Sequence, residues 1–175
     1  MRYYPLRKIF RRESFTVLLD ICSNIIQDRI SEIKDAATRS GFVRKDKFHI
    51  TVIGRRIGLE IKNILDDADA PEIKGLIDQM DWGFEFLPER FHIRKKYTGD
   101  EREEETRESI IQMVCLPALE AFYQELNVIF QTDFIPPPPH ITLFVKGDNP
   151  KTSKMGVGLY SADDLRRYTV DLFGK

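Results

Sequence analysis

The tripeptide His-Ile-Thr occurs twice in this chain, at residues 49–51 and 140–142, and takes up two of its three histidines. Imidazole has an unperturbed pKa of about 6.5, so it can hold or release a proton near neutral pH. Two imidazoles on opposite sides of a reacting atom can divide the work of base and acid. A threonine hydroxyl beside each can donate to a non-bridging phosphate oxygen and steady charge that builds in a transition state. His49 and His140 are therefore the candidate acid/base pair, and Thr51 and Thr142 the candidate phosphate donors. The bland alternative is a pair of strand histidines hydrogen-bonded near their threonines for structure alone. With 16 Ser and Thr in the chain, a hydroxyl residue two places after two of three histidines arises by chance only about 2–3 % of the time.

Both tripeptides sit in runs that read as strands, "FHITVIG" (48–54) and "HITLFVKG" (140–147). Alternate strand residues share a face. Phe48, Ile50 and Val52 are expected on one face of the first, with Lys47, His49, Thr51 and Ile53 on the other. In the second, Ile141, Leu143 and Val145 face His140, Thr142, Phe144 and Lys146 across the strand. Each strand thus combines an apolar face for packing with a face bearing imidazole, hydroxyl and lysine. Between Arg44 and Arg56 there are five basic residues and one acidic, which predicts a locally basic cleft in a chain of net charge −1.

Further contacts are suggested by position. Phe144 is a candidate base-stacking residue or else packing under the cleft. Lys47 and Lys146 are candidate phosphate contacts or solvated strand ends. His92, in "RFHIRKKY", has arginine where the motif needs Ser or Thr, and reads as a strand histidine at or outside the cleft rim or as a substrate contact. Prolines 136–139 hold an extended approach to His140. Three histidines on three separate strands give no metal-ligand spacing, and neither a metal nor a cofactor is expected.

The elements that must position these residues follow from periodicity. "SFTVLLD" (14–20) is a strand. Residues 23–40 form an amphipathic helix with Ser23 at its start and Gly41 beyond its end. Short helices are expected at 58–66 and 72–80, the second opened by Pro71. Residues 82–97 read as two strands joined at Pro88-Glu89, and 109–115 as another. Pro117 opens a helix striped by Leu119, Phe122, Tyr123, Leu126, Ile129 and Phe130. "GDEREEETRE" (99–108) is expected to be a solvated acidic loop, and "SADD" (161–164) caps a short final helix. The basic segment at residues 1–12 is expected to be solvated.

Composition narrows the class. A 175-residue chain with 42 % hydrophobic residues supports one domain with a substantial core. A pI near 6.3 speaks against coating duplex DNA. Cys22 and Cys115 form neither a metal spacing nor a disulfide framework, so a reducing cytoplasm is the expected setting. No apolar run reaches the roughly 18 residues of a membrane span, and no signal peptide is read at the start. The fold class is α+β, and two similar halves suggest an internal duplication.

Two H-x-T motifs about 90 positions apart, each followed by apolar residues, resemble the 2H phosphoesterase superfamily, which includes bacterial RNA 2′,3′-cyclic phosphodiesterases, also called 2′,5′-RNA ligases. The resemblance implies a bilobal fold, two pseudo-twofold-related lobes of antiparallel sheet with flanking helices around a central cleft. The lobe change then falls somewhere in 81–98. It implies metal-independent opening of 2′,3′-cyclic phosphates by His49 and His140, with Thr51 and Thr142 binding phosphate. The expected partner is a small RNA end or a cyclic nucleotide, and the expected state is a monomer. Two alternatives stand beside this: a 2′,5′-phosphodiesterase or RNA-end processing enzyme of the same fold, and a non-catalytic module that binds RNA ends or a phosphorylated ligand.

Overall fold

A hairpin comes first: β1 (Arg7–Arg11) pairs antiparallel with β2 (Thr16–Ile21), Arg11 opposite Thr16. The computed structural model describes residues 6–65, 70–99 and 102–172. After the hairpin come α1 (Ser23–Ser31) and α2 (Lys34–Arg39), the short β3 (Val43–Arg44) and the first motif strand β4 (Phe48–Ile53). The single helix expected over 23–40 is broken where Ile33 leaves helical geometry (φ −124°, ψ −2°). Glu32 at the break turns to Arg29 and Arg90, while Ile26, Ile30 and Ala37 all stay buried. Gly41 follows α2 at φ 80°, the left-handed position that lets glycine end a helix.

Next are α3 (Arg55–Ile64) and α4 (Pro71–Gln79), with Pro71 in the first turn as expected. Gly58 lets α3 lie on the turn of the first hairpin. A Cβ placed there would fall 2.1 Å from the Ser14 carbonyl oxygen and 2.9 Å from the Phe15 backbone. Alanine normally gains about 0.5–1 kcal/mol over glycine inside a helix, but a clash with backbone cannot relax through a rotamer. Gly58→Ala should therefore destabilise the fold by about 1–3 kcal/mol, read as a lower denaturant midpoint. An unchanged or raised midpoint would contradict this packing.

The second half repeats the plan of the first. A long hairpin of β5 (Glu85–Gly99) and β6 (Arg102–Cys115) leads into α5 (Ala118–Phe130) and then the second motif strand β7 (His140–Gly147). The two strands expected in 82–97 are one strand with an irregularity between Phe86 and Arg90. Pro88 cannot donate to the ladder, and Gln112 bridges the gap by donating Nε2 to the Leu87 and Glu89 carbonyls. The acidic run is not a solvated loop over 102–108. Glu105 is buried against Arg107 and Thr152, and Glu108 against His92, Arg94 and Lys146. Residues 100 and 101 of that run lie outside the described residues. Ile129, expected in the α5 stripe, is exposed, whereas the stripe's other five members are buried.

Finally, α6 (Ala162–Tyr168) is capped by Ser161, whose hydroxyl accepts from the Asp164 amide, and β8 (Thr169–Val170) pairs with β5. The fold is α+β, with six helices among the described residues and one antiparallel sheet ordered β1-β2-β4-β7-β6-β5-β8, with β3 beside β7. Apart from β3 and β8, the order is symmetric about β4 and β7. Each half runs hairpin, helix, motif strand, and the two motif strands meet at the centre, Ile50 opposite Ile141. The main core lies on the helix-bearing face, where Ile26, Ile30, Leu119, Phe122 and Leu126 pack on Phe48, Ile50, Ile141 and Leu143. No described helix is long and apolar enough to cross a membrane.

Candidate active site

The apolar alternation of the two motif strands sets which face the chemistry occupies. In β4, Phe48, Ile50 and Val52 are buried and His49 and Thr51 half-buried; in β7, Ile141 and Leu143 are buried and His140 and Thr142 half-buried. The central pairing of Ile50 with Ile141 then fixes the rest. In an antiparallel ladder it sets His49 across from Thr142 and Thr51 across from His140, all four on the face away from the helices. The histidines stand on one diagonal and the threonines on the other. Diagonal neighbours of this kind are about 7–8 Å apart at Cα, which leaves room for one phosphate between two imidazoles.

Both strands change register immediately after the tripeptide. Leu18 pairs with Thr51 and Val17 with Ile53, leaving Val52 as the extra residue; Ile111 pairs with Thr142 and Ile110 with Phe144, leaving Leu143 extra. Such bulges re-aim the residues that follow them. Val52 and Ile53, and likewise Leu143 and Phe144, all turn into the helix-side core. The Tyr123 hydroxyl of α5 donates to the carbonyl of the bulged Val52 at 2.9 Å, so a helix of the second half holds the irregular backbone of the first.

Over this face lies a cleft of about 360 Å³. One side is β2, with Thr16 and Leu18. The other is the extended segment 155–160, anchored where Ser109 Oγ accepts from the Val157 amide and Tyr97 hydroxyl from the Gly158 amide. Val157 and Leu159 pack on Ile93, Ile111 and Met113 of the long hairpin, forming a second small core on the cleft face. A Cβ at Gly156 would sit 3.5 Å from Thr142 Oγ1, so a large side chain there would cover the hydroxyl. Four cations line the cleft, Arg11, Lys45, Arg55 and Arg56, and among the described residues no carboxylate does. Lys45 Nζ donates to the Lys154 carbonyl at 3.0 Å, fastening the loop before β4 to the far wall.

The imidazoles differ in their surroundings. His140 Nδ1 lies 2.7 Å from the Pro138 carbonyl oxygen. A carbonyl only accepts, so Nδ1 carries a hydrogen and Nε2 is the atom left to the cleft. Burial lowers the His140 pKa, opposed by that carbonyl. Burial, then the positive neighbours Lys45, His140 and Arg11, take His49 from 6.5 down to about 4, against a weaker opposing pull from Asp20. Burial also lowers the Lys45 pKa. The Thr51 and Thr142 hydroxyls line the same cleft, and among the described residues neither is taken up by a side-chain hydrogen bond.

The structure thus brings His49, Thr51, His140 and Thr142 together and places the other candidates elsewhere. Phe144 is 1 % exposed in the core because the bulge turns it away. Lys47 lines a separate hollow with Arg44 and Lys154. Lys146 and His92 line a cavity of about 440 Å³ on the helix-bearing face, around buried Glu108. His92 Nε2 is 2.6 Å from Glu108 Oε2, and its other ring nitrogen is 3.3 Å from the Asp171 carbonyl. Sequence reasoning missed Arg11, which it left in a solvated segment, and Tyr160, the aromatic ring on the cleft wall. Lys45, Arg55 and Arg56 belong to the basic stretch it had noticed. Among the described residues no three His, Cys, Asp or Glu side chains gather as a metal site. No family model, no curated protein and no solved structure matches the chain.

Proposed function

We propose that this chain is a 2H-type phosphodiesterase that opens 2′,3′-cyclic phosphates of RNA ends or nucleotides, its two halves acting as pseudo-twofold-related lobes around the cleft. The carrying observation is the diagonal placement of His49 and His140 on adjacent antiparallel strands, with Thr51 and Thr142 at the other corners. In-line displacement at phosphorus needs a base on one side and an acid on the other, and this square supplies both. The threonine hydroxyls donate to the non-bridging oxygens, where the negative charge grows. Lys45 and Arg11 add positive potential beside His49.

The roles follow from the surroundings. His49, held neutral by burial and nearby cations, takes the proton from the attacking water. His140 gives up its Nε2 proton to the leaving 2′ or 3′ oxygen, its imidazolium supported by the Pro138 carbonyl on Nδ1. The water oxygen bonds to phosphorus, the ring P–O bond breaks, and the product is a nucleoside or RNA-terminal monophosphate. Proton exchange with solvent resets both rings. No metal or cofactor takes part in this scheme.

The pH dependence tests it. kcat/KM should rise with pH as His49 loses its proton near pH 4, and fall as His140 loses its own below the ordinary value of 6.5. The result is a bell with its maximum on the acid side of 6.5, because kcat/KM reports the free enzyme. An acidic limb near 6.5 together with a maximum above neutrality would contradict these assignments.

A further inference from the structure

The cations lining the cleft outnumber what one cyclic phosphodiester can use. Arg11, Lys45, Arg55 and Arg56 line it and no carboxylate does among the described residues. Three acids stand nearby but outside the lining: Asp20, across the ladder from His49, Asp46, beside Lys45, and Asp164, which accepts from the Tyr160 amide; a fifth cation, Lys95, lies 5.1 Å over the Tyr160 ring. Even after these are set against the cations, two positive charges remain for a substrate group that carries one negative charge. Arg55 and Arg56 make no ion pair among the described residues; Arg56 lies over the Tyr160 ring at 4.6 Å.

The cations also divide by position. Arg11 ends β1 and Lys45 lies in the loop before β4, held to the Lys154 carbonyl, whereas Arg55 and Arg56 open α3 after the motif strand, with Arg56 over Tyr160. All four line the same cleft. Arginine's planar fork is suited to phosphate, which it binds through two parallel hydrogen bonds. Because this builds on the cyclic-phosphodiesterase reading, it bears on which substrate that site takes.

We propose that the substrate carries a second phosphate beyond the cyclic one, held by Arg55 and Arg56 at the cleft wall near Tyr160 while Arg11 and Lys45 serve the scissile group. Two molecules offer that chemistry: a mononucleotide with a 5′-phosphate, and an RNA chain whose next internucleotide phosphate reaches the same place.

The test compares kcat/KM for adenosine 2′,3′-cyclic phosphate with a free 5′-hydroxyl, the same nucleotide with a 5′-phosphate, and the dinucleotide ApA ending in a cyclic phosphate. Wild type should favour at least one doubly charged substrate by about tenfold, the worth of one retained charge-assisted hydrogen bond. In Arg55→Ala/Arg56→Ala that ratio should fall to within about twofold of unity. A ratio cancels any general loss of rate. A gain confined to the 5′-phosphorylated nucleotide assigns a mononucleotide substrate; one confined to the dinucleotide assigns an RNA chain. Equal rates on all three substrates, or a gain that survives in the double variant, would overturn the proposal. Should nothing turn over, calorimetric titration with adenosine 3′,5′-bisphosphate against adenosine 3′-monophosphate decides. A tenfold preference for the bisphosphate, lost in the double variant, keeps the second phosphate site while removing the hydrolytic reading, and equal affinities remove both.

Discussion

His49→Ala and His140→Ala will each lower kcat/KM for a nucleoside 2′,3′-cyclic phosphate by about 10²–10⁴-fold, the usual worth of one positioned acid or base. Neither ring is part of the main apolar core, so both variants should keep the far-ultraviolet spectrum of the parent. Removing both should cost far less than the product of the single losses, because a base without its acid partner has little left to contribute. The two variants should also differ in shape as well as height. His49→Ala removes the acidic limb of the pH profile, which belongs to the group held near pH 4, whereas His140→Ala removes the alkaline one. Wild-type turnover by either variant would mean that the diagonal pair is not the acid/base machinery.

Thr51→Val/Thr142→Val is expected to lower kcat by about 10²–10³-fold with a smaller change in KM, since each hydroxyl is assigned to charge that grows only in the transition state. Valine replaces hydroxyl by methyl at nearly constant volume, and neither hydroxyl supports another side chain, so stability should change little. A rise in KM with kcat intact would instead assign the threonines to uniform binding of the substrate phosphate. An unchanged enzyme would remove them from the site altogether.

Much of the site was legible because the motif strands carry their own instructions. Apolar residues at 48, 50 and 52 and at 141 and 143 can only be buried together if His49, Thr51, His140 and Thr142 share the opposite face, and they do. Alternation failed two residues past each threonine, at Ile53 and Phe144. There the sequence reads Val-Ile and Leu-Phe, two adjacent buried residues where a period of two allows one. That doubled apolar pair is the trace a bulge leaves, and it would have kept Phe144 out of the cleft. The acidic run at 102–108 was misjudged for a different reason. Beside the local Arg107–Glu105 pair, its carboxylates are held by residues distant in sequence, the Thr152 hydroxyl donating to Glu105 and Arg94 and Lys146 pairing with Glu108, and no local pattern announces such distant partners. Arg11 was lost in a basic segment that looked solvated, although as the end of β1 it faces the cleft beside Thr16. At the helix break, Glu32 likewise meets a distant partner, Arg90 of the long hairpin.

The symmetry of the sheet explains why two short motifs can specify one site. A hairpin feeding a helix feeding a motif strand, used twice, brings the same tripeptide to both sides of the central pairing. The halves then diverge. Over the second, segment 155–160 covers the cleft face of the long hairpin; in the first, β2 lines the cleft with Thr16 and Leu18 and the edge strand β1 supplies Arg11. The proposed acid/base pair and its threonines sit where the halves agree, and the cations and Tyr160 proposed to select the substrate sit where they differ.

Phosphorus-31 NMR of adenosine 2′,3′-cyclic phosphate incubated with the wild-type protein in excess EDTA tests the central claim most directly. The account predicts that the cyclic-phosphate resonance disappears into a single monoester resonance, because base and acid sit on fixed sides of the phosphorus and release one ring oxygen. A cyclic resonance that persists at high enzyme concentration, or a reaction abolished by EDTA, would contradict it.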